Sequence, residues 1–285
     1  MRKLKHLVYA VLLFIMVSTP MSVSADIGPK PSVEIEFIGL EEEEYYVTLL
    51  SEIDSTGPWS EGNSYYEYMG DEAVFKKFSE YEDADGYYFL SYMEDCSEDD
   101  VFEWNYYPPQ KFKVLIYLPE KDSFIATGQI YERYAFDSYF TVYVSDVEAS
   151  KIEAEESYDF SMEIVSLIAR VILTVVAELL IALLFCYRDK KSLTAIALAN
   201  VVTQVILNIL LNVINYNSGQ YAFVFHYVWM EIVVFIIEAF IYDKAIGREN
   251  KATGKKYHPW AYAAVANLIS IIVGIWIARV IPGIF

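Results

Sequence analysis

Residues 177–212 read AELLIALLFCYRDKKSLTAIALANVVTQVILNILLN, and this stretch decides the fold of the C-terminal half. Two apolar runs flank a basic turn at 188–191. In the second run Asn or Gln recurs every fourth residue, at 200, 204, 208 and 212. Because four residues advance a helix by about 400°, these amides share one stripe of an otherwise apolar helix. The stretch predicts two membrane helices, the second with a polar side turned away from lipid.

Two more apolar runs follow, so we predict four spans at 163–187, 193–214, 221–242 and 260–281. Each is about 22–25 residues long, enough for a tilted crossing of a hydrocarbon core of about 30 Å. Aromatic side chains cluster at the predicted boundaries, as in an interfacial belt. These are Tyr187, Tyr216, Tyr221, Tyr242, Tyr257 and Trp260. Residues 161–285 are therefore expected to form an all-α four-helix transmembrane bundle.

The loops between the spans differ in charge. Lys and Arg occur between spans one and two and between spans three and four, whereas the predicted loop 215–220 has none. Since basic loops stay in the cytoplasm, we expect a multi-pass protein of the cell membrane. Its N-terminal domain and C-terminus lie outside in this topology, and its two basic loops lie in the cytoplasm.

The N-terminus supports the same orientation. A basic segment precedes an apolar run of 11 residues at 7–17, Pro20 follows, and Val23-Ser24-Ala25 offers small residues for cleavage. This pattern predicts a secretory signal peptide over 1–25, with an uncleaved anchor as the alternative.

Residues 26–160 form the predicted extracytoplasmic domain, and its charge is very uneven. It holds 33 Asp and Glu against 8 Lys and Arg, whereas residues 161–285 hold 7 against 10. Such an acidic surface repels nucleic acid and attracts cations or basic peptides. The alternative is that the charge only keeps the domain soluble.

Alternating apolar residues predict strands in this domain. The patterns at 33–37, 112–116 and 139–144 are the clearest, and 45–50 and 86–90 are weaker. Residues 71–81 predict one short helix, and 149–156 a helical lead into the first span. The expected fold class is an α+β or mainly β domain followed by the transmembrane bundle.

Tyrosine is dense in the same domain, which suits either glycan or peptide binding or ordinary core packing. The run Asp83, Asp85, Gly86 imitates part of an EF-hand loop, but Tyr81 and Tyr92 occupy ligand positions, so that interpretation fails. We expect no cofactor and no defined metal site. The weak candidates for an irregular cation site are Glu94, Asp95, Glu98, Asp99 and Asp100.

The two cysteines predict no disulfide. Cys96 belongs to the outer domain and Cys186 to the inner end of the first span, on opposite sides of the bilayer. A buried free thiol is the expected state of Cys96.

Charged and amide side chains inside the spans must face protein or water, because lipid chains offer them no hydrogen bonds. All four spans contribute such groups, and counting from the inner ends places most of them in the inner half of the bundle. The predicted intramembrane polar cluster is Arg170, Glu178, Asn200, Gln204, Asn208, Asn212, Glu231, Glu238 and Asn267. Span four adds a small-residue side suited to close helix approach, at 263, 267, 270, 274 and 278.

Three interpretations of the cluster remain open. It can be interhelical glue, a site for a cation, a proton or a small polar substrate, or the centre of an intramembrane hydrolase. The hydrolase interpretation is the weakest, because His226 is the one histidine at membrane depth and no paired-Glu motif is present. No known catalytic or nucleotide-binding motif occurs, so we do not expect an enzyme.

Several strings resemble one family. They are YYVTLLSEIDSTGPWS (45–60), FEWNYYPPQKFKVLIYLPEKDSF (102–124), IYERYAFDSYFTVYV (130–144) and the opening stretch 177–212. Together they resemble an uncharacterised family of bacterial multi-span membrane proteins with a signal peptide and an acidic extracytoplasmic domain. The resemblance implies a bacterial cell membrane and no particular activity.

Two functions are predicted. The first is a non-enzymatic binding or sensing protein whose outer domain takes a ligand, protein or peptide, with the bundle as anchor. The alternative is a small ion- or proton-coupled transporter component that uses the Glu and Asn cluster and works as a homo-oligomer. The lipid bilayer is a partner in both, and nucleic acid in neither.

Overall fold

The computed structural model describes residues 29–40, 43–58, 71–144, 152–246 and 258–280. They divide into two compact units, 29–158 and 159–280. The first is rich in β-sheet and the second is helical, so the sheet-then-helix order of the prediction is confirmed. The predicted signal peptide lies outside the described residues.

The first unit contains two sheets. Its strands are β1 (Ser32–Ile38), β2 (Tyr46–Ser51), β3 (Tyr88–Phe89), β4 (Glu94–Asp95), β5 (Val101–Trp104), β6 (Lys111–Leu118), β7 (Ser123–Ala126), β8 (Tyr131–Glu132), β9 (Asp137–Tyr143) and β10 (Glu153–Glu156). The first sheet has the order β10-β9-β1-β5, with β1 and β9 parallel. The second has the order β3-β2-β6-β7, with β4 on β2 and β8 on β6.

Both sheets contribute to one core, which makes the unit a sandwich. Val33, Ile35 and Phe37 of β1 are buried in it, while Glu34 and Glu36 alternate outward. The second sheet is covered on its other face as well, by the helix α1 (Glu72–Ser79). Strands β2 and β6 are therefore buried on both faces, and they overlap the strands predicted at 45–50 and 112–116.

One local prediction in this unit is wrong. Residues 153–156 form strand β10 and not the predicted helix, because they pair with β9 from Glu153–Tyr143 to Glu156–Phe140. Alternating polar and small residues allow either structure locally, and the neighbouring strand decides.

The second unit contains α2 (Ser161–Leu184), α3 (Lys190–Ala245) and α4 (Pro259–Val280). The predicted loop 215–220 is wrong, because helical structure is broken only at Gly219, whose φ of 76° suits glycine. Asn200 and Tyr242 lie on either side of the break and are in contact. On one straight helix they would be about 63 Å apart, so the chain reverses at Gly219 and the segments 190–218 and 220–245 pack antiparallel.

The length and hydropathy of the helices in this unit show which of them could cross a membrane. In the described part of the chain, two helices are long and apolar enough to cross a membrane, Glu163–Leu184 within α2 and the whole of α3. Pro259–Gly274 of α4 is a shorter apolar helix.

Candidate functional site

The helical unit carries polar side chains in its interior. Eight of the nine predicted cluster residues are buried. The ninth, Asn212, is half-buried and lines a separate cavity of about 360 Å³ with Phe160, Glu163 and Tyr216 among its walls. Asn212 therefore lies apart from the other members of the predicted cluster.

The spacing of the residues explains why they meet. On α2, buried polar residues recur every four positions, at Ser166, Arg170, Thr174 and Glu178. On α3, Asn200, Gln204 and Asn208 follow the same step. A step of four keeps side chains on one slowly drifting face. The small residues Ala263, Ala266 and Ser270 of α4 are buried too, and α4 packs against both α2 and α3.

Five residues form what we call the Glu178 layer: Glu178, Asn200, Thr203, Glu238 and Asn267. They lie at similar heights. Glu178 and Glu238 are about 9 and 10 Å from the ends of their helices at Leu184 and Ala245. Asn200 and Asn267 are about 15 and 12 Å from the helix starts at Lys190 and Pro259. Three helices thus supply two carboxylates, two amides and a hydroxyl to one layer.

Glu238 is well held in this layer. Thr203 donates its hydroxyl to Glu238 Oε1 at 2.5 Å, and Asn267 donates its amide to Glu238 Oε2 at 2.8 Å. Each carboxylate oxygen therefore has a close donor on another helical segment.

Glu178 is held more loosely, although its side chain is fully buried. Tyr242 and Tyr262 direct their hydroxyls at Glu178 Oε2 from 3.3 and 3.5 Å. Among the residues that the structure describes, Glu178 Oε1 has no hydrogen-bond partner. Glu238 thus accepts close hydrogen bonds on both carboxylate oxygens, whereas Glu178 accepts longer ones on a single oxygen.

A second group, the Arg170 layer, consists of Arg170, Tyr227 and Glu231. The Arg170 guanidinium lies 5.7 Å from the centre of the Tyr227 ring, a cation–π contact. Gly274 of α4 allows it, because a Cβ at this position would lie 2.6 Å from Tyr227 Oη. Arg170 is eight residues, about 12 Å, from Glu178 along α2, so this cation is remote from the Glu178 layer.

Sequence analysis missed the tyrosines that complete the site. Tyr187 and Tyr242 were assigned to an interfacial belt, but both are fully buried and pack around Tyr262. Tyr221 and Trp260, by contrast, are exposed as a belt requires. A tyrosine near a helix end suits either place. The available signal was the helical phase of Tyr242, four residues after Glu238.

His226 has a local role. Its ring Nδ1 lies 2.7 Å from the backbone carbonyl of Ala222, one turn earlier on the same helix. The histidine is thus engaged by its own helix, which gives the hydrolase interpretation no support.

Three of the five metal candidates of the sheet-rich unit accept hydrogen bonds from other parts of that unit. Glu94 accepts the backbone N–H of Glu103, Asp95 accepts from Ser97, and Asp100 accepts the hydroxyl of Tyr45. Within the described ranges, no three acidic, histidine or cysteine side chains come together as metal ligands.

The two aspartates that imitate part of an EF-hand loop form ion pairs with a buried lysine. Asp83 and Asp85 bind Lys113, a lysine that is 3% exposed on strand β6, at 2.9 and 2.5 Å. Burial alone would raise the pKa of Asp83, but hydrogen bonds from Lys113 and from backbone N–H groups hold it below its usual value. Burial would lower the pKa of Lys113, yet the bonds to Asp85 and Asp83 raise it.

Cys96 is buried and forms no disulfide, as predicted, and Cys186 forms no disulfide within the described residues. Burial is the main reason that the pKa of Cys96 is raised, and nearby Glu94 and Asp99 add to the effect. A protonated buried thiol is a poor nucleophile, so Cys96 is part of the sandwich core.

Comparisons with known proteins leave the function to be argued from this geometry. No protein-family model matches the chain, and no curated protein matches it.

Proposed function

We propose that the protein crosses the membrane four times and works as a component of a small ion- or proton-coupled transporter, the second of the two predicted functions. The four spans are α2, the two antiparallel segments of α3, and α4. The observation that carries the proposal is the inverted polarity of the helical unit, with buried carboxylates and amides and an exposed apolar surface.

The outside of the unit supports a lipid setting. In the most apolar 18-residue stretch of α2, only 28% is buried, and in the corresponding stretch of α3 only 39% is buried. Ile172, Leu180 and Leu198 are more than half exposed, and many other large apolar side chains on these helices are exposed as well. A core helix of a water-soluble protein would hide such side chains, because each costs about 1.5–3 kcal/mol to leave in water.

The inside supports a function beyond anchoring. Interhelical glue requires that polar groups satisfy one another, as Thr203, Asn267 and Glu238 do. Glu178 is not satisfied in this way, although a half-satisfied buried polar network is worse for stability than an apolar core. Retaining such a group is typical of a site that handles charge.

The acidic outer domain fits the same function, since a strongly negative surface raises the cation concentration around it. Binding or sensing by that domain stays a prediction. A bacterial cell membrane as the setting also stays a prediction.

The test uses the full-length protein in proteoliposomes that contain either a pH-sensitive dye for proton flux or a sodium- or potassium-sensitive dye for cation flux. An imposed sodium, potassium or proton gradient should drive cation or proton flux above that of protein-free vesicles. Glu178→Gln and Glu238→Gln should each reduce the flux to background, while the exposed outer-domain variant Glu120→Gln should retain it. Flux equal to that of protein-free vesicles under every gradient would refute the transport proposal.

A further inference from the structure

Three buried oxygen atoms in the Glu178 layer share one property. Glu178 Oε1, Asn200 Oδ1 and Asn267 Oδ1 accept no hydrogen bond from any residue within the described ranges. Their side chains are 0%, 0% and 3% exposed. An unmet buried acceptor costs about 1–3 kcal/mol, so three of them in one layer call for a partner.

The amide nitrogens explain why the carbonyl oxygens are left over. Asn267 donates to Glu238 Oε2 at 2.8 Å and to the carbonyl of Ala263 at 3.0 Å. Asn200 donates to Tyr242 Oη at 3.4 Å. With the donors engaged, each carbonyl oxygen is available as a ligand.

The chemistry of the three atoms selects the partner. All are oxygen acceptors, and one belongs to the carboxylate of Glu178, from which Arg170 is about 12 Å away along the helix. A hard cation can take lone pairs from several oxygens at once, whereas a proton on Glu178 Oε1 would serve that oxygen and donate to one neighbour at most. Calcium and magnesium are divalent, whereas the layer leaves the charge of one carboxylate, that of Glu178, without close donors. A monovalent cation matches that single charge.

We propose that Glu178, Asn200 and Asn267 bind one dehydrated alkali cation, sodium or potassium. The cation neutralises Glu178, while the Thr203 and Asn267 donors hold the charge of Glu238. Tyr242 and Tyr262 position the Glu178 carboxylate by contacting its other oxygen. This inference names the ion class of the proposed transport function and rests on that function for its membrane setting.

Binding is measured on the full-length protein purified in detergent. Sodium or potassium chloride replaces choline chloride at constant ionic strength, and the thermal unfolding midpoint is followed by intrinsic fluorescence. A ligand that binds only the folded state raises the midpoint in a saturable way, and we expect a rise of several degrees with sodium, potassium or both. Equilibrium binding of radioactive sodium or rubidium should show one site per chain.

Glu178→Gln should abolish the shift, while Glu231→Gln is the matched control. Glu231 is also a buried carboxylate, but it belongs to the Arg170 layer, and its variant should keep the shift. Asn200→Ala removes one carbonyl ligand and should weaken cation binding by about 10-fold. It serves as the second test if Glu178→Gln does not fold.

No shift with either alkali cation would overturn the site, and so would an equal shift in Glu178→Gln and the native chain. A midpoint that responds only to pH would assign a proton instead, and one that responds only to calcium or magnesium would assign a divalent ion. Binding without flux in proteoliposomes would refute transport and leave the site standing. Flux that survives Glu178→Gln without cation binding would refute the site and leave transport standing.

Discussion

The hydroxyl of Tyr242 lies 3.3 Å from Glu178 Oε2, although 64 residues separate them in the chain. The same hydroxyl is 3.4 Å from the amide nitrogen of Asn200. One phenol thus connects α2 with both segments of α3. Because this hydroxyl lies between the Glu178 carboxylate and the Asn200 amide, removing it is the most direct way to perturb the Glu178 layer.

Tyr242→Phe should destabilise the protein, because it deletes this hydroxyl and keeps the ring. The loss of one buried hydrogen-bonding group predicts about 1–3 kcal/mol in the free energy of unfolding. The thermal unfolding midpoint in detergent measures it. Tyr221→Phe, at a tyrosine that is 68% exposed, is the control and should leave the midpoint unchanged. Equal midpoints for both variants would show that the contact contributes nothing.

Gly274→Ala should disturb the Arg170 layer from the opposite helix. The new Cβ would lie 2.6 Å from Tyr227 Oη, so the buried tyrosine must shift away. Overpacking of this kind costs about 1–3 kcal/mol. Chemical unfolding of the purified protein measures the loss.

Two variants test that explanation of Gly274. Adding Tyr227→Phe removes the clashing hydroxyl and should recover part of the stability. Gly128→Ala meets no atom within 4 Å and should have little effect. A double variant no more stable than Gly274→Ala alone would exclude the clash with Tyr227 as the cause.

Asp83→Asn should make the sheet-rich unit less stable at neutral pH and less sensitive to acid. The pKa of Asp83 is lowered in the folded state, so its stabilising contribution is present above the unfolded value of about 3.9. That contribution is lost as the pH falls through the folded pKa. Breaking a buried ion pair by removing one partner costs about 3–5 kcal/mol.

The measurement is unfolding of the full-length protein followed from pH 7 to pH 2. Asp122→Asn provides the control, since Asp122 pairs with Lys77 on an exposed surface, where ion pairs contribute about 0–1 kcal/mol. If Asp122→Asn were as damaging as Asp83→Asn at pH 7, burial of the pair would not be the source of its strength.

The two cysteines test burial and topology together. A membrane-impermeant maleimide should label neither on intact cells, because Cys96 is buried and the proposed topology puts Cys186 inside. Permeabilised cells should label the partly exposed Cys186, and only denaturant should expose Cys96. Cys186→Ser identifies which thiol reacts. Labelling of Cys186 on intact cells would reverse the proposed orientation.

Sequence patterns identified most of the helices and strands whose apolar residues lie on one face. Strand β1 alternates Glu34 and Glu36 with buried apolar residues, and its prediction over 33–37 is confirmed. Strand β5 was missed, because four residues are too few to show a period. The turn at Gly219 was predicted as a longer loop, because composition marks a break but not its length.

By itself, the sequence determined the division into a sheet-rich part and an apolar helical part, and it placed amides and carboxylates on inward faces. Hydropathy and helical period are properties of neighbouring residues, so a linear reading contains them. Only the tertiary structure decided that Glu238 is satisfied by Thr203 and Asn267 while Glu178 keeps an unmet oxygen. The two contacts of Glu238 join residues 35 and 29 positions apart, and such pairings depend on how helices rotate and approach one another, which no local pattern specifies.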